Sequence, residues 1–342
     1  MKQLRRGATT TQVLTVVVLS IIVLAVFAVG TPLLLLFREN SRRLQCANNL
    51  KQYGIGIHTY HDTWQKVPVG AGSKNGIGTS YQVAILPQME QQPLFDKFRY
   101  SGDAIGSAED NDFVASYGDK IRLPYAACPS SPHAEMLEIK TKNGNTVHHQ
   151  VSSYVGIAGT DNFQGGGGKV IYQDPGFARC CSDLPEGNGR KGIMAVNGAL
   201  LPNEGMRFGA YRDGLSNVIF ISEQAGWGRN SSGRVRLDAS SPHGWIAGTA
   251  EERTGEQLRR DNGQSTIRSV FNLMTIVYQP GSAEMDGPGV VEGHGPNNPL
   301  ISGHGSGFTV LVGDGSVRFL PYRINLILLK KLAVRADGLP LD

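Results

Sequence analysis

One histidine and one aspartate near the end of the chain have residue types and a spacing that could do chemistry. His304 is followed, after nine residues, by Asp314 and Gly315. Imidazole and carboxylate groups serve in proteins as general bases and as metal ligands. Three interpretations are open: a metal site, a catalytic pair, or a structural role. The structural role is favoured, because Asp314 in a Gly-containing turn is expected to accept backbone N–H groups and His304 to cap a loop.

A second pair of histidines lies on a predicted helix. His58 and His61 are three residues apart, and Asp62 follows them. This spacing can present two ligands on one helix face. The sequence does not locate a third ligand, so we predict that these side chains pack and form hydrogen bonds.

Carboxylates in predicted loops are possible ligands for calcium. Asp161, Asp174 and Asp314 lie in predicted loops, and calcium prefers oxygen ligands. The chain has neither an Asp-x-Asp-x-Asp loop nor the Gly-x-Ser-x-Gly motif of a hydrolase. We therefore predict no cofactor and no metal, with calcium as the open alternative, and no enzymatic activity.

The four cysteines form an even set without Cys-x-x-Cys spacing, which does not support a zinc ribbon. Cys180 and Cys181 are adjacent and lie in a loop of their own. We therefore predict a disulfide between Cys46 and Cys128, which would tie the N-terminal helix to the rest of the chain outside the cytoplasm. Buried free thiols are the alternative, and the pairing of Cys180 and Cys181 stays undetermined.

The element that must position these residues begins with an apolar run. Residues Gly7–Phe37 contain no charged side chain. A helix rises about 1.5 Å per residue and a bilayer core is about 30 Å thick, so Val13–Phe37 can span a membrane. Three interpretations compete: a cleaved secretory signal ending at Ala28, a plain signal anchor, or a prepilin-type leader cut between Gly7 and Ala8.

Flanking charges do not set the orientation of this span. Three Lys or Arg residues precede it and three follow it closely, so the positive-inside rule gives no preference. The leading segment is short, and the cysteines follow the span. We therefore predict a single-pass membrane protein with a cytoplasmic N-terminus and with residues 38–342 in the periplasm or on the cell surface.

The charge of the remaining chain excludes one class of partner. Three of the 33 Lys and Arg residues precede the span, which leaves 30 against 29 Asp and Glu residues, a net charge of about +1. A nucleic-acid-binding domain is expected to have a strong basic excess, so we predict no nucleic acid partner. The 44 glycines among 342 residues indicate a loop-rich and mainly β domain.

The helix is predicted to continue beyond the membrane. An apolar stripe recurs at spacings of three and four residues and is expected to pack on the domain, whereas Asn49 is expected to lie off the stripe. Gly54 and Gly56 are expected to weaken this helix, which should end before Pro68. The stripe comprises Leu44, Ala47, Leu50, Tyr53, Ile57, Tyr60 and Trp64.

Short strands and turns are predicted after this helix. The β-branched and aromatic residues of Ser153–Ile157 and Val218–Ser222 indicate strands, whereas Val83–Phe98 indicates a helix pair broken by prolines. The Gly165–Gly168 run and the charged Glu251–Asp261 piece are predicted to be loop insertions.

The end of the chain predicts a β-hairpin followed by a helix. Phe308–Val312 and Ser316–Leu320 alternate in polarity around the turn Gly313–Gly315, so they should pair as antiparallel strands. Arg323–Leu332 is then predicted to be a short helix, with Gly338 as a stop.

Several blocks of sequence together resemble one family. They are QCANNLKQYGIGIHTYHDTW at 45–64, SYQVAILPQMEQQPLFDKF at 80–98, ACPSSP at 127–132, SSYVGIAGT at 152–160, RDGLSNVIFISEQ at 212–224 and SGHGSGFTVLVGDGSVRFL at 302–320. In this order they resemble prepilin-like, type II secretion pseudopilin-like proteins of a planctomycete family whose function is unknown. That family has a C-terminal H-x9-DG motif, here His304, Asp314 and Gly315. The resemblance implies N-terminal cleavage with methylation. It also implies a hydrophobic helix that resides in the membrane before assembly and forms the core of a filament afterwards.

The leader departs from the usual pattern of that family. Members usually have RRGFTLIEL, whereas this chain has Ala8 in the place of Phe and Gln12 in the place of Glu. In pilins that Glu neutralises the new amino terminus of a neighbouring subunit during assembly. The departures leave a permanently anchored relative as the alternative.

The predicted fold class is α+β, with a long N-terminal helix packed on a mainly antiparallel, loop-rich β domain. Residues 1–7 are the predicted leader, 8–37 the transmembrane helix, 38–66 an amphipathic stalk helix and 67–342 the extracytoplasmic domain.

The predicted function is that of a membrane-anchored, pseudopilin-like structural protein of the cell envelope. It is expected to assemble with itself or with other pilin-like subunits, and with type II secretion or type IV pilus-like machinery. The alternative is a permanently anchored receptor for polysaccharide or protein that uses Trp227 and Trp245 as exposed aromatic residues.

Overall fold

The computed structural model describes most of the chain. The described residues are 10–98, 103–107, 114, 121–164, 170–173, 176–182, 192–230, 233–261, 263–264, 266–282, 287–293 and 295–341. The predicted processing residues Gly7 and Ala8, the Gly165–Gly168 loop and Asp174 lie outside these ranges.

The N-terminal element is one helix of 55 residues, α1 (Thr10–Trp64). In the described part of the chain it is the one helix long and apolar enough to cross a membrane. The large apolar side chains described between Val13 and Phe37 are about half to two-thirds exposed. The chain divides into two units, Met1–Leu44 and Gln45–Asp342, so α1 contributes residues to both.

The second unit contains sixteen described strands and four further α-helices. The helices are α2 (Tyr81–Ala84), α3 (Gln92–Phe95), α4 (Gly255–Asp261) and α5 (Leu326–Lys331). The strands are β1 (Ala71–Ser73), β2 (Ile77–Ser80), β3 (Met136–Lys140), β4 (Thr146–Gln150), β5 (Tyr154–Thr160), β6 (Phe163–Gln164), β7 (Val170–Tyr172), β8 (Phe177–Cys180), β9 (Gly192–Ala195), β10 (Ile219–Glu223), β11 (Gly226–Asn230), β12 (Gly233–Leu237), β13 (Thr266–Ile267), β14 (Leu273–Ile276), β15 (Gly307–Val312) and β16 (Val317–Pro321).

A five-stranded sheet in the order β14-β5-β10-β15-β16 is the centre of this unit. β5, β10, β15 and β16 pair antiparallel, whereas β14 lies parallel to β5. A three-stranded sheet, β13-β8-β9, and four two-stranded ribbons surround it. The fold class is therefore α+β, as predicted from the sequence.

The inner strands β5, β10 and β15 of the central sheet are buried on both faces, and their side chains alternate between the two faces. On one face, Tyr154 and Leu311 belong to the core that includes Leu50, Tyr53 and Ile57 of α1. The opposite face forms a second core, which contains Val155, Ile157, Phe308, Val310 and Val312 and the helix residue Leu329. The outer part of α1 is thus an integral part of the domain core.

The apolar stripe predicted on α1 is partly wrong. Leu44 and Trp64 are 67% and 63% exposed, so the helix buries only the middle of the stripe. Asn49, predicted to lie off the stripe, is buried because its side-chain amide finds partners in the core.

Gly54 and Gly56 have a packing role that the sequence prediction missed. A Cβ on Gly54 would lie 2.9 Å from Leu311 Cδ1, and one on Gly56 would lie 2.6 Å from Met89 Sδ. The two glycines therefore let the helix approach the sheet and the 3-10 turn at Leu86–Met89 closely.

The predicted C-terminal hairpin is confirmed. β15 and β16 pair in register, with Phe308 opposite Leu320 and Leu311 opposite Val317. The helix after it, α5, is shorter than predicted, and Gly338 beyond it has a φ of +67°.

Three further predictions need correction. The proposed helix pair in Val83–Phe98 forms three short pieces, α2, a 3-10 turn at Leu86–Met89, and α3. Part of the predicted Glu251–Asp261 loop is helix α4. Trp245, expected to be exposed, is only 1% exposed and packs edge-on against Phe98.

Candidate functional site

His304 and Asp314 lie at opposite ends of β15. His304 precedes this six-residue strand and Asp314 follows it, a separation of about 20 Å at 3.3 Å per residue. The two side chains therefore cannot act as one catalytic pair.

Asp314 has the structural role that was favoured from the sequence. Its Oδ1 accepts the backbone N–H of Ser316 at 2.8 Å. Partial burial acts to raise its pKa, but hydrogen bonds from Ser316 and Ser216 and the charge of Arg318 together outweigh this effect and hold the pKa below its ordinary value.

His304 belongs instead to a buried cluster with Cys46, Cys128 and Glu223. One ligand-type atom from each of these four residues lies within 4.8 Å of the others, and all four side chains are buried. His304 Nε2 lies 3.7 Å from Cys128 Sγ and 3.4 Å from Glu223 Oε1. We refer to these four residues as the Cys-Glu-His cluster.

Four separate segments bring the cluster together. Cys46 lies on α1, and Cys128 lies in the loop before β3. Glu223 is the last residue of β10 and pairs across the sheet with Tyr154. His304 lies in the loop that enters β15, the neighbour of β10 in the sheet, so strand pairing places the carboxylate and the imidazole side by side.

Hydrogen bonds fix one oxygen of Glu223 and leave the other facing the cluster. Glu223 Oε2 accepts the backbone N–H of Thr309 at 2.7 Å and the hydroxyl of Ser302 at 2.9 Å. The Ser302 hydroxyl also accepts the backbone N–H of His304 at 3.2 Å, which couples the two positions. In the part of the chain that the structure describes, Glu223 Oε1 accepts no hydrogen bond although it is fully buried.

A second network holds the two cysteine segments together. Asn49 Nδ2 donates to the carbonyl of Ala127 at 3.0 Å and to the Tyr154 hydroxyl at 3.1 Å. That hydroxyl donates in turn to the carbonyl of Cys46 at 3.4 Å. Burial raises the pKa of Tyr154 well above its ordinary value, so the hydroxyl keeps its proton and remains a donor.

The loop that contains His304 passes directly over the loop that contains Cys128. A Cβ on Gly303 would overlap the carbonyl oxygen of Ser130, so only glycine allows this approach. Gly305, two residues further on, faces open space.

The sulfur atoms of the cluster form a disulfide, Cys46–Cys128, with a Cα–Cα distance of 5.3 Å. This is consistent with the pairing predicted from the sequence. Cys180 and Cys181 form a second disulfide between adjacent residues, on β8 and just beyond it.

A pocket of about 280 Å³ lies beside the cluster. Cys128 is part of its lining, together with Gln45, Ser131, His133 and Glu135. The pocket therefore adjoins the segment that contains Cys128.

The other histidine pair has packing contacts. His58 Nε2 lies 2.9 Å from the carbonyl of Gly313 in the hairpin turn. His61 stacks on Phe208 with a centroid distance of 3.6 Å. These contacts agree with the packing role predicted for the two histidines, whereas the side chain of Asp62, for which the same role was predicted, is 84% exposed.

Two of the loop carboxylates considered for calcium have protein partners. Asp161 forms an ion pair with Lys330 at 2.5 Å, and Asp314 is held in its own turn. Asp174 lies outside the described residues.

Sequence reasoning missed Glu223. The sequence contained one local signal, because the acidic Glu223 follows the apolar run Val218–Ile221 after one serine. A charged side chain at the end of a buried strand requires a partner. The partner is 81 residues away in the chain, and only strand pairing identifies it.

The described residues thus define an α+β domain with a buried Cys-Glu-His cluster, in a chain with one apolar helix long enough to span a membrane. The chain belongs to the family described as Protein of unknown function (DUF1559), which matches residues 37–326. All four cluster residues lie inside the matched range. No curated protein and no solved structure matches the chain significantly.

Proposed function

We propose that the protein is a membrane-anchored, pseudopilin-like structural component of the cell envelope. The observation that supports this proposal most directly is helix α1, whose first part is apolar and exposed while Leu50, Tyr53 and Ile57 lie in the domain core. One continuous helix thus contains both the apolar segment and residues of the domain core.

The exposed surface of the apolar segment supports self-association as part of this proposal. Between Val13 and Phe37 the described large apolar side chains point outward around the helix, and lipid or a neighbouring helix can cover them. Helices in a bilayer associate through close packing rather than through the hydrophobic effect. Assembly of several copies, or with other pilin-like subunits and secretion machinery, would bring these helices together.

Cross-linking in native membranes tests this proposal. A photo-reactive amino acid replaces Leu44, which is 67% exposed just beyond the apolar segment. We expect a ladder of dimers and higher oligomers upon irradiation. The matched control replaces residues 13–37 with a Leu/Ala helix of equal length, which still inserts but lacks the native packing surface, and should give no ladder.

A permanently anchored binding module is the second candidate, and one surface favours it. Trp227 is 36% exposed. The Arg234 guanidinium lies 4.8 Å from the centre of the Trp227 ring, and the centre of the His133 ring lies 5.0 Å from the same point. His133 also lines the pocket beside the cluster. Binding on a polysaccharide array that Trp227→Ala abolishes, without any Leu44 cross-linking ladder, would favour this candidate over the pseudopilin-like function.

A further inference from the structure

We propose that the Cys-Glu-His cluster is a zinc site when the Cys46–Cys128 disulfide is reduced. Two thiolates, one imidazole and one carboxylate are ligand types that zinc accepts in a tetrahedral site. The proposal concerns the dithiol state of the protein and does not depend on the pseudopilin-like function.

The spacing of the nonbonded ligand atoms fits this geometry. With metal–ligand bonds of 2.0–2.3 Å, a zinc tetrahedron has edges of about 3.3 Å between N and O and about 3.6 Å between S and N. The corresponding distances are 3.4 Å from His304 Nε2 to Glu223 Oε1 and 3.7 Å from His304 Nε2 to Cys128 Sγ. All four ligand atoms lie within 4.8 Å of one another, and breaking the disulfide bond allows the two sulfur atoms to separate and adjust around a metal ion.

Glu223 is already held in the orientation that a metal ligand needs. Ser302 and Thr309 bind its Oε2, and its buried Oε1 accepts no hydrogen bond from the residues that the structure describes. A buried carboxylate oxygen without a donor is costly, and a zinc ion would satisfy it. Hydrogen bonds to the rest of a ligating carboxylate are the usual outer support of a metal site.

The redox step and the binding step balance separately. A dithiol reductant transfers two electrons and two protons to the disulfide, leaving Cys46 and Cys128 as thiols and the reductant as its own disulfide. Zinc then displaces the two thiol protons into solvent and is held by both thiolates, His304 Nε2 and Glu223 Oε1. Oxidation consumes both sulfur ligands, so the disulfide and the metal exclude each other.

The pocket that Cys128 helps to line places open space next to the cluster. Cys46 is fully buried and Cys128 is 4% exposed, so we expect an incoming thiol to attack Cys128 from the pocket side.

Metal titration of the full chain in detergent micelles tests the proposal. The chain is reduced with a phosphine and kept anaerobic, and zinc is titrated against a chromogenic chelator. We expect one tightly bound zinc per chain in the reduced form and at least about 100-fold weaker binding in the oxidised form, which lacks two of the four ligands. Cobalt in place of zinc should give a thiolate charge-transfer band together with the intense visible bands of a tetrahedral centre.

The second disulfide provides the matched control. Cys180→Ser/Cys181→Ser removes the other two thiols and should keep the single zinc site, whereas Cys46→Ser/Cys128→Ser should lose it. Glu223→Gln should weaken binding and keep the thiolate band, and Ser302→Ala should weaken zinc binding about tenfold by freeing Glu223. Circular dichroism follows the fold in every sample.

Three results would overturn the proposal. They are the absence of stoichiometric zinc in the reduced chain, loss of zinc in the Cys180→Ser/Cys181→Ser variant, and unchanged affinity in Glu223→Gln. If the reduced chain unfolds without metal, stoichiometric refolding upon zinc addition supports the site, and failure of zinc to restore the fold refutes it.

Discussion

Removing the Cys46–Cys128 disulfide should destabilise the domain far more than removing the Cys180–Cys181 disulfide. The first closes a loop with a sequence separation of 82 residues, whereas the second joins adjacent residues. The chain-entropy relation gives about 4.5 kcal/mol for the long loop and about 1 kcal/mol for the shortest one. Each Cys→Ala pair deletes two buried sulfur atoms, so the packing losses are similar and the difference of about 3.5 kcal/mol reports loop closure.

Urea unfolding of the two double-alanine variants measures this difference. The full chain is kept in detergent micelles with a metal chelator, so that neither membrane insertion nor zinc differs between samples. Fluorescence from the buried Trp245 and far-ultraviolet circular dichroism follow the domain. Equal losses of unfolding free energy in the two variants would refute the reasoning that the Cys46–Cys128 bond acts chiefly by restricting the unfolded chain.

Three further substitutions test particular contacts. Gly303→Ala should cost about 1–3 kcal/mol by forcing the His304 loop away from Ser130, whereas Gly305→Ala, which faces open space, should be nearly neutral in the same urea titration; equal effects would contradict the close approach. Trp245→Ala should lower the free energy of unfolding by about 3–5 kcal/mol because the Trp245 ring is buried, and Trp227→Ala should lower it much less. Similar losses in the two variants would contradict the difference in burial. Burial acts to raise the pKa of Asp238, but the charge of Arg236 and hydrogen bonds from Ser240 and Ser241 outweigh burial and lower the pKa. The ionised form of Asp238 therefore stabilises the fold above about pH 4, and this contribution is lost as the pH falls through the folded-state pKa. Asp238→Asn should lower the free energy of unfolding by about 3–5 kcal/mol at neutral pH, because it leaves Arg236 unpaired. It should also reduce the dependence of the unfolding free energy on pH in the acid range. A pH dependence parallel to that of the original chain would exclude a stabilising role of ionised Asp238.

The regular parts of the fold follow from local patterns. The hairpin of β15 and β16 could be predicted because alternation and a Gly-Asp-Gly turn specify both strands and their register. The long apolar helix was equally evident from its composition. The burial of Asn49 and Trp245 could not be predicted, because it depends on partners that lie far away in the sequence, such as Ala127 and Phe98.

The candidate site was predicted only in pieces. The cysteine pair was identified by elimination, and His304 by its motif. The motif suggested Asp314 as its companion, but the length of β15 separates them. The true neighbours, Glu223 and Cys128, lie near His304 because β10 and β15 pair and because Gly303 lets two loops touch. Neither the strand pairing nor the loop contact can be recognised from the sequence of a single segment.

The amino-terminal sequence and intact mass of the protein recovered from native membranes test the proposed function most directly. The pseudopilin-like function predicts a chain that begins at Ala8, with or without N-methylation. A mature chain that still contains residues 1–7 would contradict processing by a prepilin peptidase and would favour the permanently anchored binding module.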